Sequence, residues 1–253
     1  MPPASRPTGS AFSPAQQTPR ALVIYDRARI AGVLETQRGV ALDLKVLAEE
    51  ALTRGPFSVM DKTDLAPSGK KQDYWHPAPY WWPDPQTPDG LPYIRRDGQR
   101  VPGTRFNDPE SGRYDRTRLK AVFDDTTHLA LAAEVFDEPR FADHAARLIR
   151  AWFLAPETRM TPHLRYAQVR RGHNGDEGPG SGIIEFRDVF YVLDAMRLLE
   201  ERGALSPQDT VSFRGWLARY ADWLQTSTAG QRECKAMNNH GTFFDVQLGA
   251  IAA

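Results

Sequence analysis

Apolar side chains return every three or four positions over most of the chain. This spacing places them on one face of a helix, most clearly over residues 115–153 and 183–224, with a shorter version before Gly55. Alternation of apolar and polar residues, which would indicate strands, is nowhere comparably strong. The pattern therefore predicts an all-α fold.

Glycine and proline divide the first half of this pattern into two helical pairs. Two short helices are predicted between residues 22 and 55, and a hairpin of longer helices over residues 115–153, with a tight turn at 137–139. Between the pairs, residues 56–114 keep no helical period for more than a few positions, because proline and glycine interrupt them throughout. This segment is predicted to be a long irregular loop.

Capping residues mark helices in the second half of the chain. A helix is predicted over residues 183–202, and the Ser206 hydroxyl, followed by Pro207 at a first helical position, predicts the start of the next. Residues 238–239 are expected to cap one more helix, beginning at His240. Successive hairpins with long loops favour a layered helical ring over a compact bundle, whose connections are usually short.

Composition divides the chain into a tail and one domain. Residues 1–20 contain five prolines among Ser, Thr, Gln and Gly, so they are predicted to form a flexible tail. The rest, residues 21–253, has the length of one large domain, and the 41% hydrophobic and 25% charged residues of the whole chain are ordinary globular values.

Charge, cysteine content and hydropathy limit the partners, cross-links and membrane segments that this chain can have. The 32 basic and 32 acidic residues cancel, so any attraction for a polyanion must come from a local cluster of arginines, and no nucleic-acid partner is predicted. The single Cys234 excludes an intramolecular disulfide. No apolar stretch approaches the ~20 residues of a membrane span, and no secretory signal is visible. The sequence predicts no cofactor and points to no metal-ligating residues, and it leaves a metal requirement and the oligomeric state open.

The irregular loop contains an aromatic and proline-rich segment that is suited to sugar binding. Prolines restrict its backbone, and the sequence predicts that its rings lie near the surface, where they can stack on pyranose rings while Arg95 or Arg96 pairs with a uronate carboxylate. The alternative is that these rings pack a long loop onto the helices. The candidate substrate-binding residues of this segment are Trp75, His76, Tyr80, Trp81, Trp82 and Arg95.

A second candidate site lies at the predicted start of the last helix. The backbone donors and the positive end of the helix dipole favour an anion beside Asn238, Asn239 and His240. The same field disfavours a protonated imidazole, so a neutral His240 is predicted to act as a general base while an adjacent amide binds the substrate's carboxylate. The alternative is a capping asparagine beside a packed histidine.

The polar loop over residues 156–182 adds a third set of candidates. It offers the phenol of Tyr166, the imidazole of His173 and the amide of Asn174, all suitable partners for a polyanionic chain. The polarity of a loop is by itself weak evidence for substrate binding. These residues are therefore predicted to bind the substrate only in combination with the aromatic segment and the residues at the start of the last helix.

Three segments together resemble the alginate-lyase superfamily of polysaccharide lyases: the aromatic run at residues 73–98, Gly-Ile-Ile-Glu at 182–185, and the Asn-Asn-His motif that opens 238–245. The resemblance covers nearly everything after the proline-rich tail, and the long aromatic motif is its most specific part. It implies an α/α toroid that cleaves a uronate-containing, alginate-like polysaccharide by β-elimination. It also implies a periplasmic location.

The resemblance also assigns roles to residues. It implies that Asn239 helps neutralise the substrate carboxylate and that His240 takes part in abstracting the C5 proton. The family's tyrosine, which donates to the leaving O4, and a nearby arginine lie downstream of this pair, and only 13 residues follow His240 here. We therefore expect a C-terminally truncated toroid, and Tyr166 is the hypothetical substitute acid.

Two other functions remain open at this point. One is a non-catalytic or truncated protein that binds acidic polysaccharides, which would retain the aromatic surface without cleaving the polymer. The other is a toroidal glycoside hydrolase, whose paired carboxylates would be sought among Asp124, Asp125 and Glu185.

Overall fold

The computed structural model of the protein describes residues 21–253, and helices dominate it, as the hydrophobic spacing predicts. The proline-rich tail predicted for residues 1–20 lies outside the described residues. The α-helices are α1 (Arg27–Thr36), α2 (Arg38–Leu52), α3 (Arg116–Phe136), α4 (Pro139–Ile149), α5 (Val189–Glu201), α6 (Pro207–Thr226), α7 (Thr228–Cys234) and α8 (Asn239–Ala252).

Local capping explains where two of these helices begin. Ser206 and Asp209 form a capping box, in which each side chain accepts a hydrogen bond from the backbone N–H of the other residue. The Asn238 side chain accepts a hydrogen bond from the backbone N–H of His240 and caps α8. Both predicted helix starts are confirmed, with α8 beginning one residue earlier than expected.

Short strands tie the long loops together, which the sequence pattern did not predict. Strand β1 (His76–Pro77) pairs in parallel with β4 (Ala167–Val169), and β2 (Trp81–Trp82) pairs antiparallel with β3 (Ile94–Arg95). Strands of two or three residues are too short to show an alternating pattern. The β1–β4 pair holds the aromatic segment against the loop at 156–182, and the β2–β3 pair joins two parts of the aromatic segment itself.

The predicted helix over residues 183–202 is wrong in its first part. Gly180–Phe186 forms a 3-10 helix, and α5 begins only at Val189. The missing side chain of Gly182 allows the backbone to pass this close to β4, because a Cβ at this position would lie only 2.4 Å from the Ala167 backbone oxygen. The segment therefore lies directly on β4, closer than a helix with ordinary side chains would permit.

Two further departures lie at helix ends. The helix expected to continue to residue 153 changes into a π-helical turn at Arg150–Leu154, and α7 was not predicted. Helix α7 has only seven residues, and Ser227 caps it by accepting a hydrogen bond from the Gly230 backbone N–H. Such a short helix contains too few apolar positions to establish a period.

Stacked aromatic rings join the 3-10 helix and the polar loop to α6. The Phe186 and Trp216 rings stack with centroids 5.8 Å apart, and Trp216 stacks on Tyr220 at 5.6 Å. Trp216 also donates a hydrogen bond of 2.8 Å from Nε1 to the Met160 backbone oxygen. All three rings are buried, so this cluster fixes the loop at 156–182 to the helical core.

A buried ion pair anchors the aromatic segment at its other end. Lys62 Nζ lies 2.9 Å from Asp115 Oδ2, and both side chains are fully buried. The Asp115 carboxylate also accepts a hydrogen bond from the Trp75 backbone N–H, and the Asp115 N–H donates to the Trp75 carbonyl. Burial raises the pKa of Asp115 to about 7 and lowers that of Lys62. The pair sets the position of Trp75, and hence of β1.

Candidate active site

A histidine–glutamate pair lies at the junction of α7 and α8. His240 Nδ1 is 2.7 Å from Glu233 Oε1, and the side chains are 27% and 5% exposed. Burial raises the pKa of Glu233, while the hydrogen bond to His240 opposes this shift. When Nδ1 donates to this carboxylate, the lone pair of Nε2 is left to accept a proton. The pair therefore has the arrangement of an oriented general base.

Close backbone packing allows this pair to form. A Cβ at Gly180 would lie 2.7 Å from the Ala229 backbone oxygen and 3.2 Å from Glu233 Oε2, so the 3-10 helix lies directly against α7. Gly241 has the same role at the start of α8, because a Cβ there would lie 2.1 Å from the Ala236 oxygen. Gly241 permits the tight junction of α7 and α8 that brings Glu233 and His240 together, and Gly180 lets the 3-10 helix pack against Glu233.

Asn239 lies beside His240, as the sequence predicts, but the two asparagines differ in their contacts. Asn238 uses its side-chain oxygen to cap α8 at 2.9 Å from the His240 backbone N. Asn239 is the first residue of α8 and is exposed, and its side chain makes no hydrogen bond within residues 21–253. Its amide is therefore free for a ligand, which is compatible with the predicted carboxylate-binding role.

The polar loop reaches both α7 and the aromatic segment. Asn174 Oδ1 accepts a hydrogen bond of 3.2 Å from Arg232, the residue before Glu233. The His173 ring meets Trp81 edge to face with centroids 5.0 Å apart, and its Nε2 lies 2.8 Å from the Tyr93 oxygen. These contacts place two of the sequence-predicted binding residues between the histidine–glutamate pair and the aromatic rings.

An aromatic and cationic groove lies where this loop meets the aromatic segment. The groove encloses about 230 Å³. The Arg170 guanidinium lies 4.7 Å above the Trp81 ring centre, and its Nε is buried without a hydrogen-bond partner among the described residues. Burial, together with the nearby Arg95, lowers the pKa of Arg170. The groove is lined by Ala78, Pro79, Tyr80, Trp81, Arg95, Gln168 and Arg170. It combines a flat ring with cations that can bind a carboxylate.

Arg170 is a candidate that the sequence reasoning missed. Arg95, which was predicted, is largely exposed and pairs with Asp97 at 2.7 Å. Arg170 has no acidic partner within the described part of the chain and already contacts a ring that is expected to bind sugar. Its only sequence signal was its place in an Arg-Arg pair next to His173, and that signal does not reveal the contact with Trp81.

Several aromatic side chains do not lie where the sequence predicted. Trp75 is 7% exposed and His76 fully buried, so the expectation that these rings lie near the surface is wrong. Trp81 and Trp82 remain half-buried and Tyr80 is exposed, and Trp82 donates a hydrogen bond of 2.8 Å to the Gln99 oxygen. The segment therefore has an inner half, residues 74–76, which packs into the protein interior, and an outer half, residues 80–82, which can contact a ligand.

The inner half surrounds a buried carboxylate. His76 Nδ1 lies 2.8 Å from Glu185 Oε1, and the Tyr74 hydroxyl donates to Oε2 at 2.7 Å. Burial alone raises the pKa of Glu185, but His76, Arg116 and Tyr74 together hold it below its ordinary value. A buried carboxylate is costly without such partners. This requirement explains why His76 is drawn into the interior.

Gln168 connects the buried carboxylate to the groove. Its side-chain nitrogen donates to Glu185 at 3.1 Å, and the residue also lines the groove beside Trp81. Its backbone has φ of 55°, a left-handed conformation that is unusual for a residue other than glycine. Such strain persists only where surrounding contacts enforce it. The Glu185 cluster therefore holds one wall of the groove in place.

The remaining candidates make no contact with His240 among the described residues. Tyr166 is half-buried and packs with Trp75, and its ring centre is 6.1 Å from that of His163. It makes no hydrogen bond or ring contact with His240 within residues 21–253. Asp125 is paired with Arg54 at 2.7 Å and is almost fully buried, so it is not available as a hydrolase carboxylate.

The described part of the chain contains neither a metal-binding cluster nor a membrane-spanning helix. No group of three or more His, Cys, Asp or Glu side chains there could hold a metal ion. None of the helices between residues 21 and 253 has both the length and the apolar character needed to cross a bilayer.

Comparisons with known proteins agree with this geometry. The family model described as alginate lyase matches residues 58–253. The solved structure of an alginate lyase from Bacteroides ovatus superposes with a TM-score of 0.79 at 38% identity, over 89% of this chain. The match covers 58% of that enzyme, so this chain spans less than two thirds of its length. The comparison with curated proteins gives no match.

These matches confirm the resemblance carried by the aromatic and Asn-Asn-His motifs, and they confirm the α/α toroid as the fold class. The family model covers most of the chain and includes the groove, the Glu185 cluster and the histidine–glutamate pair. The chain belongs to the alginate lyase family.

Proposed function

We propose that this chain is a polysaccharide lyase that cleaves a uronate-containing polymer by β-elimination, with His240 as the general base. The observation that carries the proposal is the 2.7 Å contact between His240 Nδ1 and the buried Glu233 carboxylate. Family membership supports lyase chemistry in general. The acidic substrate and the roles of individual residues rest on the chemistry of the site.

The proposed reaction removes the proton at C5 of a uronate and expels the oxygen at C4. His240 Nε2 accepts the C5 proton, the C5–H electrons form a C4=C5 double bond, and the C4–O4 bond breaks. A hydrogen bond from Asn239 to the uronate carboxylate stabilises the negative charge that develops next to C5. The departing O4 takes up a proton, for which Tyr166 remains the proposed donor.

The groove beside Trp81 is the proposed sugar-binding surface. Its exposed Tyr80 ring and half-buried Trp81 ring offer flat apolar faces, and Arg170 offers a cation that has no acidic partner among residues 21–253. A planar guanidinium can bind a carboxylate through two parallel hydrogen bonds. This combination favours an acidic polysaccharide over a neutral one. A periplasmic location stays a prediction.

The test is ultraviolet absorbance during incubation of the purified chain with a panel of polyuronates, because each elimination creates an unsaturated sugar end. We expect absorbance to rise for the wild-type chain and to remain flat for His240→Ala. His128→Ala, a half-buried histidine on α3 outside the site, is the matched control and should retain activity. A rise that persists in His240→Ala would rule out His240 as the base.

A binding protein without catalysis is the second candidate. The groove supports it independently, because its aromatic and cationic residues do not depend on His240. Retention of the chain on immobilised polyuronate, without any rise in absorbance, would favour this function. New reducing ends without ultraviolet absorbance would instead indicate hydrolysis.

A further inference from the structure

A second pocket lies between the polar loop and α6, and it shares no lining residue with the groove beside Trp81. It encloses about 340 Å³, which is within the range of about 300–1,000 Å³ that is typical of small-ligand sites. Its lining residues are Gln72, Arg159, Met160, Thr161, Pro162 and Arg219. Two of these six are arginines, and none is acidic.

Neither arginine of this pocket is neutralised by another side chain among residues 21–253. Arg159 and Arg219 are exposed, and no carboxylate of the described residues forms an ion pair with either. Arg159 makes one long contact of 3.5 Å to the Leu154 backbone oxygen. Glu157 and Asp222 are close to them in sequence, yet neither carboxylate pairs with Arg159 or Arg219 in the described part of the chain. Two free guanidiniums that line one pocket form a site for an anion.

Backbone hydrogen bonds and a buried side chain hold the walls of the pocket. The Met160 side chain is fully buried, and its backbone oxygen accepts the hydrogen bond from Trp216. The Thr161 N–H donates to the Gln72 oxygen at 3.0 Å, and the Gln72 side chain donates to the Pro156 oxygen at 2.7 Å. The pocket therefore exists before a ligand arrives, which reduces the entropic cost of binding.

Aromatic rings of α6 and of the polar loop lie beside this pocket. Trp223 follows Arg219 by one turn of α6, so the two side chains lie on the same side of the helix. The Trp223 ring centre is 6.1 Å from that of His163, which is itself 6.1 Å from Tyr166. A sugar chain leaving the pocket along this surface would meet Trp223 and then the rings of the polar loop, which also carries His173 and Asn174.

We propose that this pocket is a distal subsite for a carboxylate-bearing sugar unit of the same polymer. The inference rests on the proposed function, because a polyuronate presents a carboxylate on every unit and can occupy two cationic sites at once. Occupying both sites raises the affinity for long chains without changing the chemistry at His240. The subsite therefore selects for substrate length and charge.

The test combines Arg159→Ala and Arg219→Ala in one variant. The matched control is Arg29→Ala with Arg38→Ala, two exposed arginines on α1 and at the start of α2. We expect KM for long polyuronate to rise about tenfold or more, since both lost contacts involve charged groups. We expect kcat, and KM for the shortest cleaved oligouronate, to be unchanged. An equal effect on long and short substrates would overturn the subsite.

Direct binding separates this inference from the proposed function. In a His240→Ala background, calorimetric titration with long oligouronates should show weaker binding when both arginines are removed, and raised salt should reduce the difference. Equal affinity with and without the arginines would overturn the subsite but would leave the proposed lyase function standing. Arginine-dependent binding by a wild-type chain that cleaves no polyuronate would support the subsite and refute the lyase. Matching circular dichroism spectra would show that the variants are folded.

Discussion

Replacing Lys62 with methionine tests whether the buried ion pair anchors the aromatic segment. Methionine has a similar length and no charge, so the substitution removes the partner that lies 2.9 Å from the Asp115 carboxylate. The other Asp115 oxygen already lacks a hydrogen-bond partner among the described residues. Lys62 also donates to the Val59 oxygen at 2.7 Å, and the substitution removes this bond. The variant leaves a buried carboxylate without its counter-ion.

We expect the free energy of unfolding near pH 8 to fall by about 3–5 kcal/mol, the usual cost of removing one partner of a buried ion pair. For a chain of this size the melting temperature falls by about 2–4 °C for each kcal/mol, so a shift of about 6–20 °C is expected. Lys120→Met is the matched control. Lys120 is partly exposed and pairs with Asp124 on the helix surface, so its loss should cost less than about 1 kcal/mol.

The pH dependence of this loss follows from the Asp115 pKa. An unfolded aspartate titrates near a pKa of about 3.9, whereas burial raises the pKa of Asp115 to about 7 in the folded protein. The folded state therefore holds the proton more tightly. Protonation of Asp115 therefore adds to the free energy of unfolding. This contribution is fully present below about pH 3.9, and it is lost as the pH rises through about 7.

Removing Lys62 raises the Asp115 pKa further, so the variant should lose more stability at pH 8 than at pH 5. Urea denaturation followed by circular dichroism at both pH values measures the two losses. Adding Asp115→Asn to Lys62→Met should recover much of the loss at pH 8, because the amide oxygen can still accept from Trp75 without a charge. A loss below 1 kcal/mol, or an equal loss at pH 5 and pH 8, would refute the anchoring argument.

Three further predictions concern the site itself. Glu233→Ala should lower kcat by about 10–100-fold, the range known for partners that orient metal-ligating histidines. Glu233→Gln keeps an acceptor for His240 Nδ1 and should lose less; equal losses of kcat would argue against orientation. Arg170→Ala should raise KM for polyuronate several-fold with kcat unchanged in steady-state kinetics, and Arg170→Lys should restore part of it; an unchanged KM would exclude Arg170 from binding. Tyr166→Phe should lower kcat by about 100-fold or more if Tyr166 donates to O4, and unchanged turnover would remove it from the mechanism.

The sequence by itself determined the features that depend on residues close together in the chain. Helical spacing predicted the all-α fold, and the caps at Ser206 and Asn238 identified two helix starts, because a capping side chain bonds to a backbone group two or three residues away. The same local information placed Asn239 and His240 at the start of α8. The motifs around these residues were sufficient to indicate the family.

Only the tertiary structure decided how residues within one motif divide between interior and surface. Trp75 and Trp81 belong to the same aromatic run, yet Trp75 is buried and Trp81 lines the groove. The inner end of the run is held because Asp115 bonds the Trp75 backbone and the buried Glu185 carboxylate pairs with His76. Glu185 is far from His76 in sequence, as Arg170 is from Trp81. Such pairs form when packing removes water from charged groups and leaves them only protein partners, and no local pattern records which partners those will be.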